Sequence, residues 1–293
     1  MKKIAIIIPT FNRSKLLEIV LSQLLEQSSE ISSIKTEVIV VNDGCTDETE
    51  KMLNSRFPEV IQKKTEGNFW YTKSMNVGFI EAEKLKVDYV LTLNDDIELK
   101  DDYLINIFNA ISKFSEPVIM GSTSVTFEKP TRVTFSGIKE IKWWRFKQDS
   151  YHKYLEEIPI AELQGEKKSA LLPGRGMLID MRIINKIGFF EPLLIQYASD
   201  DEFCYRAINN GFNVYVSWDS IIYSHHKLTG DGTPELKQSF ISFIKSFFNV
   251  YSRNYWKKHF FIIWNYGIKI LFPITIFIVF LGEFYSYFKY RLK

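Results

Sequence analysis

Cysteine is nearly missing from this chain: Cys45 and Cys204 are the only two among 293 residues. Two distant thiols with no Cys-x-x-Cys pair exclude a disulfide framework and a cysteine zinc site, so a reduced cytosolic setting is the simplest expectation. A large charge of one sign is missing as well. The formal net charge is only +2, and no nucleic-acid partner is expected. There is no internal repeat and no low-complexity segment. An apolar share of 46% with 15% aromatics excludes a disordered chain. The apolar run near the N-terminus, Ile4 to Ile8, stops at Pro9 after five residues. That is too short for a secretory leader and is expected to be a buried first strand ended by a proline that cannot donate to a ladder.

The charge that is present is unevenly spread. From Lys237 onward there are nine Lys or Arg and one acid, Glu283, giving a local +8. The preceding 236 residues therefore carry −6, and a composition boundary divides residues 1–235 from a basic, aromatic tail over 236–293. In the first part, strands and helices alternate. Strands are expected at 4–8, 37–41, 60–63 and 89–93, and helices at 14–27, from about 48, and at 72–86. This spacing predicts an α/β fold with a mostly parallel sheet flanked by helices. Farther on, the pattern turns β-like over 117–134. A strand over 171–180 interrupted by Gly174 and Gly176, a helix over 183–187, and a helix over 200–210 ended by Gly211 follow. Short strands are expected at 214–216 and 221–223.

Three polar clusters follow three of these strands: Thr10–Asn12, Asn42–Asp47 and Asn94–Asp96. In open sheets of this kind ligands bind beyond the carboxyl ends of the strands. Asn94, Asp95 and Asp96 end a strand of buried character, and adjacent carboxylates repel unless a cation is near. Hard cations such as Mg or Mn take such oxygen ligands and share them with substrate phosphates.

Taken together these segments resemble the GT-A glycosyltransferases of family 2, over about residues 3–229. Ile7-Ile8-Pro9-Thr10-Phe11-Asn12-Arg13 is similar to the family's opening strand and turn. Val40-Val41-Asn42-Asp43-Gly44-Cys45-Thr46-Asp47 is similar to its second element, and Asn76-Val77-Gly78 to its asparagine-x-glycine. Asn94-Asp95-Asp96 stands in the place of the DxD metal motif, in the N-x-D form familiar in rhamnosyl-type and galactofuranosyl-type branches. Tyr197 to Arg206 resembles the acceptor-side block, with Ser199 and Glu202 departing from the usual Glu and Asp.

The resemblance implies an inverting transfer of sugar from a UDP- or dTDP-linked donor to a glycan or glycolipid acceptor, aided by a divalent Mn or Mg. It implies Asp200 as the catalytic base and Asp96 as a metal ligand, with Asp95 beside it for donor or metal. Asp43 is expected on the donor base, with Thr10, Asn12 and Asn76 shaping the donor pocket. A histidine after the last strand completes the metal site in some relatives, and of His225 and His226 the first is preferred here. Lys73 and Arg175 are expectations for the diphosphate. Trp70, Trp143 and Trp144 are aromatics for which burial is the commoner use. A sugar nucleotidyltransferase shares this general architecture but needs a glycine-rich basic turn after strand one, where this chain has Pro9 to Arg13. A scaffold that kept the fold without catalysis is favoured only by Asn94.

The tail has an apolar run over 260–281 broken by Asn265, Lys269 and Pro273. Its uncharged core, 270–282, is 13 residues long, against the ~20 that cross hydrocarbon. Three readings stay open: a tilted span, an interfacial helix meeting anionic lipid through its Lys and Arg, and a homodimer surface. A lipid-linked acceptor at the cytoplasmic face of the membrane would make the first two useful, with the tail itself expected outside the catalytic site.

Overall fold

The computed structural model describes residues 1–225 and 237–292. β1 (Lys2–Thr10), α1 (Ser14–Glu30), β2 (Ile34–Asn42), α2 (Thr49–Arg56), β3 (Ile61–Lys64), α3 (Trp70–Lys84) and β4 (Tyr89–Thr92) alternate as the spacing predicts. β1 lies parallel to β2 and β4, and β2 parallel to β3, giving the order β3-β2-β1-β4. Ile4, Ile6 and Ile8 enter one core cluster with Leu17, Leu21 and Leu24 of α1. Ala5 and Ile7 enter the other with Met75, Phe79 and Ala82 of α3. Successive strand side chains point to opposite faces, so an unbroken apolar run is what a sheet covered on both sides requires.

The second half closes the sheet with antiparallel and returning strands. It comprises β5 (Ile97–Leu99), α4 (Tyr103–Ser112), β6 (Val118–Thr126), β7 (Arg132–Phe135), a separate hairpin of β8 (Ile138–Lys142) and β9 (Lys147–Ser150), and β10 (Glu156–Glu157). Then come β11 (Glu166–Lys168), β12 (Met177–Asp180), α5 (Met181–Ile187), α6 (Ser199–Asn209) and β13 (Asn213–Ser224). β12 is inserted antiparallel between β4 and β6, and β13 runs parallel to β6. The tail folds as α7 (Phe240–Ser246), α8 (Trp256–Tyr266) and α9 (Phe272–Arg291).

Three expectations are corrected here. Pro9 does not end β1, which pairs through Pro9↔Val41 and Thr10↔Asn42. Ile7 turns its carbonyl to Leu93, so Pro9, two residues on, faces the same edge, where β4 has already ended. No N–H is missed there. The strand expected from 171 begins only at Met177, because Pro173, Gly174 and a left-handed Gly176 (φ 83°) keep the approach irregular. The two short strands at 214–216 and 221–223 are one strand, β13, with a bulge between Ser217 and Ile221.

Candidate active site

The ends of β1, β2 and β4 open onto a cavity of about 550 Å³. Thr10, Arg13, Asp43, Asn94, Asp95 and Asp96 line it from the strand side, and Gly174, Arg175, Tyr197 and Asp200 face them. Thr10 donates its hydroxyl to Asp95 at 2.8 Å. One nitrogen of Arg13 bridges Asp95 at 3.0 Å and Asp96 at 2.8 Å. Burial pushes the Asp95 carboxyl up to about 6, with Arg13 opposing the rise and Asp96 adding to it. Two buried carboxylates therefore share one guanidinium and leave a negative charge uncompensated. The second oxygen of Asp96 (Oδ1) and the side-chain oxygen of Asn94 are buried with no hydrogen-bond partner among the described residues. Orphaned oxygens on a negatively charged turn at a cavity wall fit a hard divalent cation. No group of three His, Cys, Asp or Glu placed to hold a metal gathers among the described residues, so such an ion would take its remaining ligands from a substrate phosphate.

Asp43 follows β2 and is buried. Its carboxylate accepts the Thr65 hydroxyl at 2.5 Å and the backbone N–H groups of Phe69 and Trp70 at 2.9–3.0 Å. It thereby holds the turn that leads into α3. Gly44, at φ 78°, lets this turn meet the next one, since a Cβ there would lie 2.9 Å from the Cα of Gly67. A carboxylate offers about four acceptor positions, and these three donors make four contacts because the Phe69 N–H reaches both oxygens, so a further donor from the cavity would take a place that Phe69 now shares.

Across the cavity, Asp200 sits in the first turn of α6. Its two oxygens accept N–H groups from Gly174 at 2.7 Å and Asp201 at 3.0 Å. Gly174 is required by close approach: a Cβ would fall 1.6 Å from the hydroxyl of Tyr71. Burial raises both Asp200 and Asp201, and their mutual repulsion takes Asp201 up to about 8. Asp200 is held back by its two N–H donors and by Arg175, while Asp201 is held back only by Lys258 and Arg253. Of the pair, Asp201 therefore holds its proton more tightly and Asp200 gives its proton up first. The rest of this block faces inward. Ser199 bonds the Thr72 hydroxyl at 2.8 Å, and Glu202 makes a two-pronged pair with Arg206, both contacts at 2.9 Å.

Not every expected residue reaches the cavity. Asn12 accepts the N–H of Thr46 at 2.7 Å and fixes the 45–47 loop, with φ 53°. Asn76 clamps Phe190, donating to its carbonyl at 2.9 Å and accepting its N–H at 3.1 Å. His225 bonds Glu98 at 3.0 Å and stacks on Phe127, and it does not line the cavity. His226 lies outside the described residues. Lys73 lies over the Phe69 ring, and Arg175 does line the cavity, donating to Ser224 at 3.2 Å. Trp70 lines the cavity, whereas Trp143 and Trp144 belong to the β8–β9 turn. Since Asn76 satisfies two backbone groups, Asn76→Ala is expected to cost about 1–3 kcal/mol of stability and leave turnover per folded molecule unchanged. Urea unfolding beside a nucleotide titration checks this.

The tail is not outside the site, contrary to the expectation. Arg253, between α7 and α8, lines the cavity. Tyr251 stacks on Trp70 with ring centres 4.2 Å apart, and the Tyr266 hydroxyl bonds Glu202 of α6. No sequence signal marked Arg253, whereas Arg13 stood beside a strand end where a cation was readable.

A parallel sheet with polar strand ends, an antiparallel insertion and a carboxylate helix facing them define the GT-A fold. Residues 5–171, more than half of the chain, match the family Glycosyl transferase family 2, and the chain belongs to that family. The match takes in Asp43, Asn94, Asp95 and Asp96 at the strand ends but stops short of Asp200. Among solved structures, S. aureus TarS 1-349 is similar at 20% identity and TM-score 0.52, covering 76% of this chain and 60% of that one. The same protein in complex with UDP-GlcNAc matches at 21% and 0.52, covering 76% and 58%. GalNAc-T7 with UDP, GalNAc and Mn2+ matches at 12% and 0.58, covering 76% and 44%. At these identities the likeness is one of fold, and the chain spans less than two thirds of each of those chains. No curated protein matches.

Proposed function

We propose that this protein transfers a sugar, with inversion, from a UDP- or dTDP-linked donor to a glycan acceptor, in surface polysaccharide synthesis. The observation that carries the reading is one cavity holding Asp43, the Asp95–Asp96 turn and Asp200 on opposing walls. Asp43 would receive the ring N–H of the donor base. Asp96 and Asn94 would hold Mn or Mg, which supplies Lewis-acid neutralisation of charge on a diphosphate. Arg175 adds a fixed cation on the opposite wall. The Asp200 carboxylate takes the proton of the acceptor hydroxyl as that oxygen bonds to the anomeric carbon, and the sugar–phosphate bond breaks on the far side. The N-x-D turn favours a donor of the rhamnosyl or galactofuranosyl type. The similar structures with UDP, UDP-GlcNAc and Mn2+ support a nucleotide-sugar donor and a metal. The test is release of UDP or dTDP from a panel of nucleotide sugars, with and without Mn. Consumption of one donor with the metal supports the reading; failure to bind UDP or dTDP overturns it. Pyrophosphate release from a nucleoside triphosphate and a sugar phosphate would instead mark a nucleotidyltransferase.

We also propose that the tail lies on the cytoplasmic face of the membrane. The helical stretch from Lys269 to Arg291 is long and apolar enough to cross a bilayer, with mean hydropathy 1.7. α9 is held by the protein along one side, through Thr275 to the carbonyls of Trp143 and Trp144 and through Tyr287 to Gln238. Its other side exposes Ile274, Phe277, Leu281, Tyr285 and Phe288, spaced three and four apart. This supports an interfacial helix over a span. Phe277→Glu with Leu281→Glu is expected to abolish flotation with phosphatidylglycerol vesicles. A wild-type protein that stays a soluble monomer and does not float ends the proposal, and a detergent-independent dimer assigns the stripe to a second copy.

A further inference from the structure

We propose that Arg253 and Tyr251, from the tail, complete with Trp70 and Tyr197 an acceptor subsite for a sugar attached to a phosphate. The inference rests on the glycosyltransferase reading above. The segment between α7 and α8 is built to present these side chains. The N–H of Trp256 closes it onto the Phe247 carbonyl at 3.0 Å. Ser252 and Asn254 on either side of Arg253 are buried, while Arg253 itself is exposed to the cavity. Asn254 donates its side-chain amide to Ser246 at 3.0 Å and its N–H to the Ser252 hydroxyl at 3.1 Å. A loop anchored on both sides of an outward arginine fixes the backbone from which its guanidinium reaches the cavity, which lowers the ordering cost of binding.

Place and chemistry give the ligand class. Arg13 is bound to the Asp95–Asp96 turn at the donor end. Arg253 stands at the other end, close enough to Asp201 to pull its proton affinity down. With Asp201 neutral at pH 7, the end next to Asp200 is less hostile to an anion than its two carboxyl groups suggest. A guanidinium presents a planar fork that matches phosphate in two parallel hydrogen bonds. The Trp70–Tyr251 stack, each residue more than a third exposed, gives a flat apolar edge for the C–H face of a sugar. Lys258 lies over the Tyr197 ring at 5.8 Å and adds positive charge on the same side. A phosphate there has two sources, a lipid-linked sugar and a soluble sugar phosphate.

Calorimetric titration of the full chain, saturated with UDP and Mn, distinguishes them with three probes: farnesyl diphosphate, glucose 1-phosphate and methyl glucoside. At least one phosphate probe is expected to bind, and R253Q to weaken it roughly ten- to a hundredfold, the range for a charged hydrogen bond. R253K should fall between, since it keeps the charge and loses the fork. Tyr251→Ala should weaken glucose 1-phosphate and spare farnesyl diphosphate. Binding of farnesyl diphosphate alone marks a lipid-linked source, and of glucose 1-phosphate alone a soluble one. Equal affinity in R253Q and wild type, or binding of neither phosphate probe, overturns the subsite. Melting curves show whether each variant is folded. A wild-type protein that does not take up UDP at all removes the glycosyltransferase reading instead, so the two failures are distinct.

Discussion

Asp200→Asn is expected to lower sugar transfer about a hundredfold or more, the range for losing a general base, while UDP affinity stays within about twofold of wild type. An amide cannot take the acceptor proton. The substitution is not neutral to the fold, because both oxygens of Asp200 accept an N–H, from Gly174 and Asp201. An asparagine must turn its NH2 toward one of them, at a cost of about 1 kcal/mol in stability. The pH profile separates base from structure. Burial raises the Asp200 carboxyl, so wild-type transfer should fall as pH drops through that raised value and the carboxyl gains its proton. The variant should show a low rate without that limb. Removing the Asp200 charge also removes what repels Asp201, so Asp201 should ionise at lower pH than in wild type. An unchanged rate would reduce Asp200 to a helix-start residue, and a matching loss of UDP affinity would make it a donor contact.

Asp96→Ala should abolish metal-stimulated donor turnover, a loss of at least two to three powers of ten if the cation contributes several kcal/mol. Stability should not fall with it. Asp96 is buried, and it lies beside a second buried carboxylate with one guanidinium between them. Removing one of two like charges leaves Arg13 paired with Asp95 and relieves their repulsion. A melting temperature equal to or above wild type, together with lost response to Mn, is the expected pair of results. Turnover that keeps its response to Mn and its loss on chelation would place the metal elsewhere.

Much of this was legible because strand periodicity is local. The apolar run before Pro9 and the one ending at Leu93 announce buried strands, and the polar residues after them must then lie along one sheet edge. What burial does to those residues was not legible. Asp43 lines the cavity but also holds the 69–70 turn, a bond across 26 residues that no spacing reveals. Asn12 and Asn76 sit in matching motifs, yet their amides serve backbone groups of the chain itself. Arg253 lay hidden because a loop between two tail helices gives no periodic signal, and only tertiary packing brings it to the cavity that Asp200 lines.

The docking of α9 has a consequence for reach. The helix is about 30 Å long at 1.5 Å per residue, and it is fastened near one end through Thr275 and near the other through Tyr287. Thr275 ties it to the β8–β9 turn of the catalytic part, whereas Tyr287 ties it to Gln238 of the tail itself. If the stripe rests in lipid, the height of Asp200 above the bilayer is then set from the Thr275 end of the helix. A membrane-borne acceptor must bridge that height with its own sugars, so the enzyme would act as a ruler that admits chains above a minimum length and passes over shorter ones.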